Sequence, residues 1–260
     1  MKRKLAILLG ATAVLGLAAC QSQSETKQED TVSTGAAEDE VATPELSEEL
    51  ANARAFQTAW EAPPPVSASD PRLNDRDDVR WPEPVRGRFE FRSGRVIQLS
   101  SDLYALISSG YVEGAAASAP GAIAFHYLAR TADGFRLLDV SPLFVAGGVG
   151  GQPPTFSVRQ GIMPAPVVIV ETQTPNARGT CAVAQLVELT PGQPVLRATG
   201  LPMAFAPASG GGAWIGELAT GRPGRDFDVQ YSGASDGQAV WILTDVGTYR
   251  ASGQPRLSGC

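Results

Sequence analysis

Residues 123–140 have the sequence IAFHYLARTADGFRLLDV, and this stretch decides the fold. Two runs rich in apolar and aromatic residues flank the polar stretch TADG at 131–134. Such runs on either side of a turn that ends in Asp-Gly are typical of a β-hairpin. The sequence therefore predicts two antiparallel strands, at 123–130 and at 135–140.

Similar patterns continue on both sides of this hairpin. Residues 85–92 alternate charged residues with apolar residues or glycine, as a half-buried strand does, and Ser93-Gly94 then predicts a turn. Further strands, each beside a turn rich in Gly, Pro, Asp or Ser, are predicted at 167–171, 182–189, 195–199, 226–231 and 239–244. About a dozen short strands of this kind predict an antiparallel all-β domain over residues 85–260.

The predicted architecture of this domain is a sandwich or a barrel. A partial propeller is the second choice, because Gly94, Gly134, Gly192 and Gly237 recur at intervals that loosely suit four-stranded blades. No WD or kelch signature accompanies these glycines. A sandwich or barrel is therefore preferred.

One amphipathic helix is predicted ahead of the β domain, at 44–60. Thr43 supplies an N-cap hydroxyl, Pro44 suits the first turn, and apolar residues then recur at roughly helical spacing. Three prolines at 63–65 end the pattern. The apolar face of the helix is expected to dock on the body or to meet a partner, and residues 61–84 are predicted to form a Pro-rich connector.

The first twenty residues combine three features in a fixed order. A basic start, KRK at 2–4, precedes an apolar run at 5–19, and the run ends in LAAC at 17–20. This arrangement resembles the leader of bacterial lipoproteins, whose lipobox consists of Leu, two small residues and Cys. The resemblance implies a signal peptide at 1–19, cleavage before Cys20, and lipid attachment at the Cys20 sulfur.

The same resemblance bears on where the protein would be held. It implies acylation, with chains such as palmitate, of the new amino terminus as well, and several chains together anchor a protein firmly in a membrane. In this class an Asp directly after the Cys often retains the protein at the inner membrane, whereas here Gln21 follows. The resemblance therefore implies a cell-envelope protein of the outer membrane of a Gram-negative bacterium.

The acidity of the sequence is concentrated just after this leader. Residues 21–50 contain nine acidic residues and one lysine, whereas residues 51–260 contain 18 acidic residues and 17 arginines. A polar, acidic stretch with almost no large apolar residues cannot bury enough surface to fold, so residues 20–43 are predicted to be a disordered tether. The net charge of −6 makes nucleic acid a poor candidate partner.

The sequence contains two cysteines besides Cys20, namely Cys181 and Cys260. In the oxidising compartment that a secretory leader implies, an intramolecular disulfide between them is the preferred prediction. Two free thiols, or pairing of Cys260 with another chain, are the alternatives. No CxxC spacing exists, and one histidine leaves little scope for a zinc site.

The candidate catalytic motifs lack the context that catalysis needs. Residues 233–237, GASDG, match the G-x-S-x-G nucleophile pattern, but they lie between predicted strands and no histidine follows residue 126. His126 is expected to be a structural histidine. Asp226 and Asp228 are expected on one face of a strand, where a carboxylate pair would suit glycoside hydrolysis only inside a cleft. The glycine run at 147–151 lacks the lysine of a phosphate loop and predicts a loop with close backbone approach.

These observations favour a lipid-anchored, non-catalytic β domain that binds or scaffolds an envelope protein. No catalytic, cofactor-binding or metal-binding residue is predicted, and no cofactor. Two alternatives stay open: an envelope hydrolase that uses a carboxylate pair, and a lipoprotein that binds a small ligand or an ion.

Overall fold

Two antiparallel β-sheets and one helix make up the described part of the chain in this computed structural model. The structure describes residues 47–61, 66–67, 89–253, 257 and 259–260, with the backbone alone at 66–67 and 140–144. These residues all belong to one compact unit, Thr43–Cys260. The predicted signal peptide, Cys20 and the predicted tether at 20–43 lie outside the described residues.

Within each sheet, every strand pairs with its neighbours in sequence. The five-stranded sheet contains, in order, β1 (Val66–Ser67), β2 (Glu90–Gln98), β3 (Leu103–Tyr111), β4 (Gly121–Thr131) and β5 (Gly134–Gly147). The eight-stranded sheet contains, also in order, β6 (Thr155–Arg159), β7 (Val167–Asn176), β8 (Gly179–Leu189), β9 (Pro194–Pro207), β10 (Trp214–Ala219), β11 (Asp226–Gly233), β12 (Gly237–Leu243) and β13 (Tyr249–Ser252). The prediction of an antiparallel all-β fold is confirmed, and the described strands form two sheets instead of propeller blades.

Three of the hairpins predicted from turn residues are present. In the hairpin at 123–140, Thr131 of β4 pairs with Gly134 of β5. The β7–β8 and β11–β12 hairpins also form where the sequence predicted them. Strand β1 lies within the stretch that was predicted to be only a connector, and it pairs with β2.

The turn predicted at Ser93-Gly94 is wrong, because both residues lie inside β2. Ser93 pairs with Ser108 and Arg95 pairs with Ile107, so Gly94 is the extra residue of a β-bulge. A Cβ atom at Gly94 would overlap the carbonyl oxygen of Ile107, which explains the glycine. The same residue type thus marks a close backbone approach and not a change of direction.

Helix α1 (Glu48–Trp60) begins later than predicted. Its N-cap is Ser47, whose Oγ accepts from the backbone N–H of Leu50 at 3.4 Å, so the predicted N-cap at Thr43 is wrong. An N-cap hydroxyl followed by acidic residues occurs at Ser47-Glu48-Glu49 as well as at Thr43-Pro44-Glu45. Sequence alone does not show at which of these two places the helix begins.

Helix α1 packs on one face of the five-stranded sheet, as one of the two alternatives predicted. Its buried residues Phe56 and Trp60 meet Phe91 of β2 and Leu106 of β3 in one apolar cluster. The indole N–H of Trp60 donates to Ser108 Oγ at 3.2 Å, which satisfies both buried groups.

A side chain of the helix also caps the bulge in β2. Asn52 Oδ1 accepts from the backbone N–H of Val96 at 2.8 Å. The guanidinium of Arg54 donates to the carbonyl of Asp133 in the β4–β5 turn at 2.9 Å. Polar contacts therefore hold the helix both to β2 and to the β4–β5 turn.

The opposite face of the five-stranded sheet packs on β7 and β8. Ile107 and Phe125 contact a cluster that includes Val168, Val170 and Val187 of the second sheet. Successive residues of a strand point to opposite faces, so the neighbouring residues of β7 and β8 face away from this layer. This packing of two sheets face to face is that of a sandwich.

The far face of the eight-stranded sheet encloses a second core. Residues from β7 through to β13 contribute to one cluster, among them Ile169, Leu186, Trp214, Phe227 and Tyr249. A single flat face cannot bring its first and last strands together, so the sheet curls until β13 approaches β9. Among the described strands, β13 pairs only with β12, and no ladder joins β9 to β13.

Candidate functional site

The histidine considered as a binding residue lies beneath the helix. His126 is 1% exposed, and its ring centroid lies 4.6 Å from that of Trp60 in an edge-on contact. This position, between helix α1 and β4, is that of a core residue.

The serine of the G-x-S-x-G match lies in a hairpin turn, as predicted. Ser235 falls between β11 and β12, and the backbone N–H of Gly233 donates to Asp236 Oδ1 at 3.0 Å across that turn. Gly233 has φ +112°, a region that other residues rarely adopt. The glycines of the motif thus serve the turn.

The glycine run at 147–151 also has a structural role, because it allows backbone segments to approach closely. The N–H of Gly151 donates to the carbonyl of Ala119 at 2.8 Å, and the carbonyl of Gly151 accepts from Val112 at 2.9 Å. A Cβ atom on Gly151 would overlap the Val112 carbonyl oxygen, so this loop needs glycine for close approach. The predicted loop with close backbone approach is confirmed.

Asp226 and Asp228 lie on β11 and face away from the apolar core of the curled sheet, on the side opposite Phe227. Asp226 accepts hydrogen bonds from the backbone N–H of Arg222 at 2.8 Å and from its Nε, also at 2.8 Å. The Arg222 guanidinium holds the pKa of Asp226 below its usual range. Asp226 therefore closes a turn as an ionised carboxylate, and the geometry does not favour it as a general acid.

The disulfide predicted between Cys181 and Cys260 is present. The two Cα atoms lie 5.7 Å apart, and 79 residues separate the cysteines in sequence. Cys181 lies on β8, so the bridge holds residue 260 against the curled sheet. Asn176 Nδ2 donates to the carbonyl of Gly259 at 3.2 Å and supports the same attachment.

No helix among the described residues is both long and apolar enough to cross a membrane. Within the same residues, no group of three or more His, Cys, Asp or Glu side chains is placed to hold a metal ion.

A buried ion pair was not found by sequence reasoning. Glu188 of β8 is 4% exposed, and its Oε2 accepts from Nε of Arg197 of β9 at 2.7 Å. Its other oxygen, Oε1, accepts from the backbone N–H of Ala165 at 3.1 Å. Arg197 Nη1 donates to the carbonyl of Gly247 at 2.9 Å. The pair thus ties two strands, the loop before β7 and the loop before β13 together.

Two cavities share Arg197 of this ion pair in their linings. The first, here called the end cavity, has a volume of about 570 Å³ and opens at one end of the curled sheet. Its lining is partly apolar and partly charged, and includes Leu99, Glu188, Leu189, Arg197, Leu243 and Tyr249. The second, here called the seam cavity, has a volume of about 470 Å³ and lies between β9 and β13. Both volumes fall in the range of roughly 300–1,000 Å³ that is common for ligand pockets.

The seam cavity borders a strand edge that has no ladder partner among the described strands. Strand β9 pairs with β8 except where its register is interrupted, as at a bulge around Thr199 and Gly200, and Gly200 has φ +70°. It pairs with β10 only at Ala204 and Phe205. Along residues 196–201 the second edge of β9 therefore makes no backbone hydrogen bond to another described strand. We call this stretch the free edge of β9. Unpaired edges of this kind are ready templates for a further strand.

Hydrogen-bond donors are abundant around the seam cavity. Its polar lining comprises two arginines, two threonines and two aromatic residues, namely Arg197, Arg250, Thr199, Thr248, Trp241 and Tyr249. Among the described residues, none of those that line the cavity is acidic. The side chain of Arg197 is 24% exposed, and no described residue accepts a hydrogen bond from its Nη2.

Two aromatic residues of the lining are buried. The indole N–H of Trp241 is buried and has no hydrogen-bond partner among the described residues. Burial raises the pKa of Tyr249, and the charge of Glu188 raises it further. A buried donor without an acceptor is uncommon in folded proteins, and this donor belongs to a residue that lines the seam cavity.

A third cavity, of about 460 Å³, continues along the free edge of β9. It shares Trp241 and Ala251 with the seam cavity and extends to Cys260 at the disulfide. Cys260 does not line the seam cavity. The free edge of β9 is thus bordered by hollow surface from Arg197 to Pro202.

Comparison of the sequence with protein-family models and with curated proteins finds no match, and comparison with solved structures finds none.

Proposed function

We propose that this protein is a lipid-anchored component of the bacterial cell envelope whose β domain binds a partner protein without catalysing a reaction. The lipobox LAAC at 17–20 supports lipid attachment at Cys20, and Gln21 supports the outer membrane as the location. The acidic stretch at 20–43 supports a flexible tether between the lipid and the β domain.

The free edge of β9 is the observation that carries the binding function. It lies open beside two cavities, and an extended segment of a partner can add to such an edge by main-chain hydrogen bonds. The cavities alongside can accommodate alternate side chains of that segment. Ser235 and Asp226, which were considered for catalysis, and His126, which was considered for binding, each make contacts that support the fold.

Proximity cross-linking in intact cells tests this proposal. The lipidated protein serves as bait, and mass spectrometry identifies the captured proteins. We expect one dominant envelope protein. A photo-reactive residue in place of Thr199, an exposed residue of the free edge, is expected to capture it, whereas one in place of Arg159, on the distant edge strand β6, is not.

A matched variant tests the anchor separately. Cys20→Ala removes the lipidated sulfur, and we expect an unprocessed precursor without lipid label. Normal lipid labelling of that variant contradicts the anchor, and cross-linking that yields no reproducible partner contradicts the binding function.

A small-ligand-binding lipoprotein is a second candidate, favoured by the end cavity alone. Its volume of about 570 Å³ and its partly apolar lining suit a small molecule. Native mass spectrometry of the protein purified from its own envelope distinguishes the two, because a retained small molecule adds a defined mass.

A further inference from the structure

We propose that the seam cavity binds the C-terminal carboxylate of a partner protein, with the last residues of that partner extended along the free edge of β9. This inference rests on the proposed function, whose binding edge it uses, and it names the chemical group that is recognised. Three independent features of the cavity support it.

The first feature is the fixed guanidinium of Arg197. Its Nε is held by Glu188 at 2.7 Å and its Nη1 by the Gly247 carbonyl at 2.9 Å, so the group has little freedom left to lose on binding. The second hydrogen of Nη1 and both hydrogens of Nη2 have no acceptor among the described residues. One hydrogen of Nη1 and one of Nη2 can lie side by side on the outer edge of a guanidinium, and that pair of donors matches the two oxygens of a carboxylate.

The second feature is the charge around the cavity. The charge of Arg197 is balanced by Glu188, whereas Arg250 makes no ion pair with a described residue. The surroundings therefore carry one unbalanced positive charge, and a single carboxylate neutralises it. A dianionic phosphate group would leave negative charge next to the buried Glu188. Hydroxyl groups of Thr199 and Thr248 add neutral donors to the same lining.

The third feature is the combination of strand edge and apolar surface. The free edge of β9 offers backbone donors and acceptors to an extended chain, and the rings of Trp241 and Tyr249 offer apolar area to its last side chain. Trp241 is 7% exposed, and its unpartnered indole N–H lies in the wall that such a chain would cover. A terminal carboxylate places negative charge, main chain and one side chain together, as this site requires.

Two peptide libraries that differ only in the group at the C-terminus test the proposal. Both contain N-acetylated hexapeptides with three random C-terminal residues; one ends in a free carboxylate and the other in an amide. The full-length lipidated protein, immobilised in detergent, selects from an equal mixture, and mass spectrometry counts the captured peptides. We expect free acids to be captured about tenfold or more over the amides, since hydrogen bonds to a charged group are lost in the amide.

Three variants locate the binding. R197K keeps the charge beside Glu188 but removes the guanidinium edge, and R250Q removes the unbalanced charge. Each is expected to reduce capture of the free acids by about threefold or more. R159Q is the matched control, because Arg159 is an exposed arginine on β6, far from the cavity in the sheet order, and it is expected to change nothing. Circular dichroism melts verify that each variant is folded.

The outcomes separate this inference from the proposed function. Equal capture of acids and amides overturns it, and so does an equal effect of R159Q and R250Q. Preference for amides that contain Asp or Glu also overturns it, because side-chain carboxylates would then be the recognised group. If neither library is captured while cross-linking still finds a partner protein, the partner binds through another feature and only this inference fails.

Discussion

The buried ion pair between Glu188 and Arg197 makes a quantitative prediction. Arg197→Met keeps most of the apolar side chain but removes the charge, which leaves the Glu188 carboxylate, 4% exposed, with only the Ala165 N–H as its described partner. Removing one member of a buried pair costs about 3–5 kcal/mol, because the remaining charge is desolvated without compensation. Arg197 is itself 24% exposed, so we expect a loss near the lower end, about 3 kcal/mol.

Urea unfolding followed by tryptophan fluorescence measures this loss. We expect Arg197→Met to lower the unfolding midpoint without changing the m-value, which reports the surface exposed on unfolding. The double variant Glu188→Met with Arg197→Met removes both charges, and we expect it to lie within about 1 kcal/mol of the original protein, as apolar replacement of buried pairs often does. The single variant Glu188→Met completes the double-mutant cycle, which gives the interaction energy of the pair.

One result refutes the reasoning. If Arg197→Met costs less than about 1 kcal/mol, the pair behaves as a surface salt bridge and water reaches Glu188. Water in the cavity beside the pair would then hydrate the Glu188 carboxylate. A double variant with no higher unfolding free energy than Arg197→Met would support the same conclusion.

Three further predictions concern the fold. Replacing both Cys181 and Cys260 by alanine should lower the unfolding free energy by about 4 kcal/mol, given the 79-residue separation, and reductant should then have no further effect on the melting temperature. Asn52→Ala should cost about 1–3 kcal/mol and speed hydrogen exchange of the Val96 amide, because that N–H loses its acceptor at the bulge; unchanged exchange would contradict this role. Burial raises the pKa of Tyr231 to about 12, so its contribution to stability is complete below the ordinary tyrosine pKa of about 10 and is lost as pH rises towards 12. Tyr231→Phe should therefore show a weaker fall in stability over that pH range, and an identical alkaline profile would argue against the assignment.

The elements that sequence predicted share one property, which is a clear turn between the paired strands. The β4–β5 and β11–β12 hairpins have Gly and Asp where the chain reverses, and those signals are local. Strand β3 is covered on both faces and shows no alternation, as is also true of β4. Strand β3 was missed because Ser108-Ser109-Gly110 lies inside it and resembles a turn. Gly94 was misjudged because a bulge and a turn both favour glycine.

The candidate site was out of reach of sequence for a different reason. Glu188 and Arg197 come together only through the register of β8 and β9, which contains three irregularities. Each irregularity shifts which residues face each other, and no sequence signal states where they fall. The free edge of β9 likewise depends on β10 pairing at only two positions, a property of how the sheet curls.

The meandering order of the strands bears on how the chain acquires its structure. Because each described ladder joins strands that are adjacent in sequence, the backbone pairing requires no strand to wait for a distant one. In a chain that is synthesised from its amino terminus, the helix-covered sheet can form while the strands from β6 onward are still to come. The disulfide spans 79 residues, so the strands that lie between Cys181 and Cys260 must be synthesised before it can form.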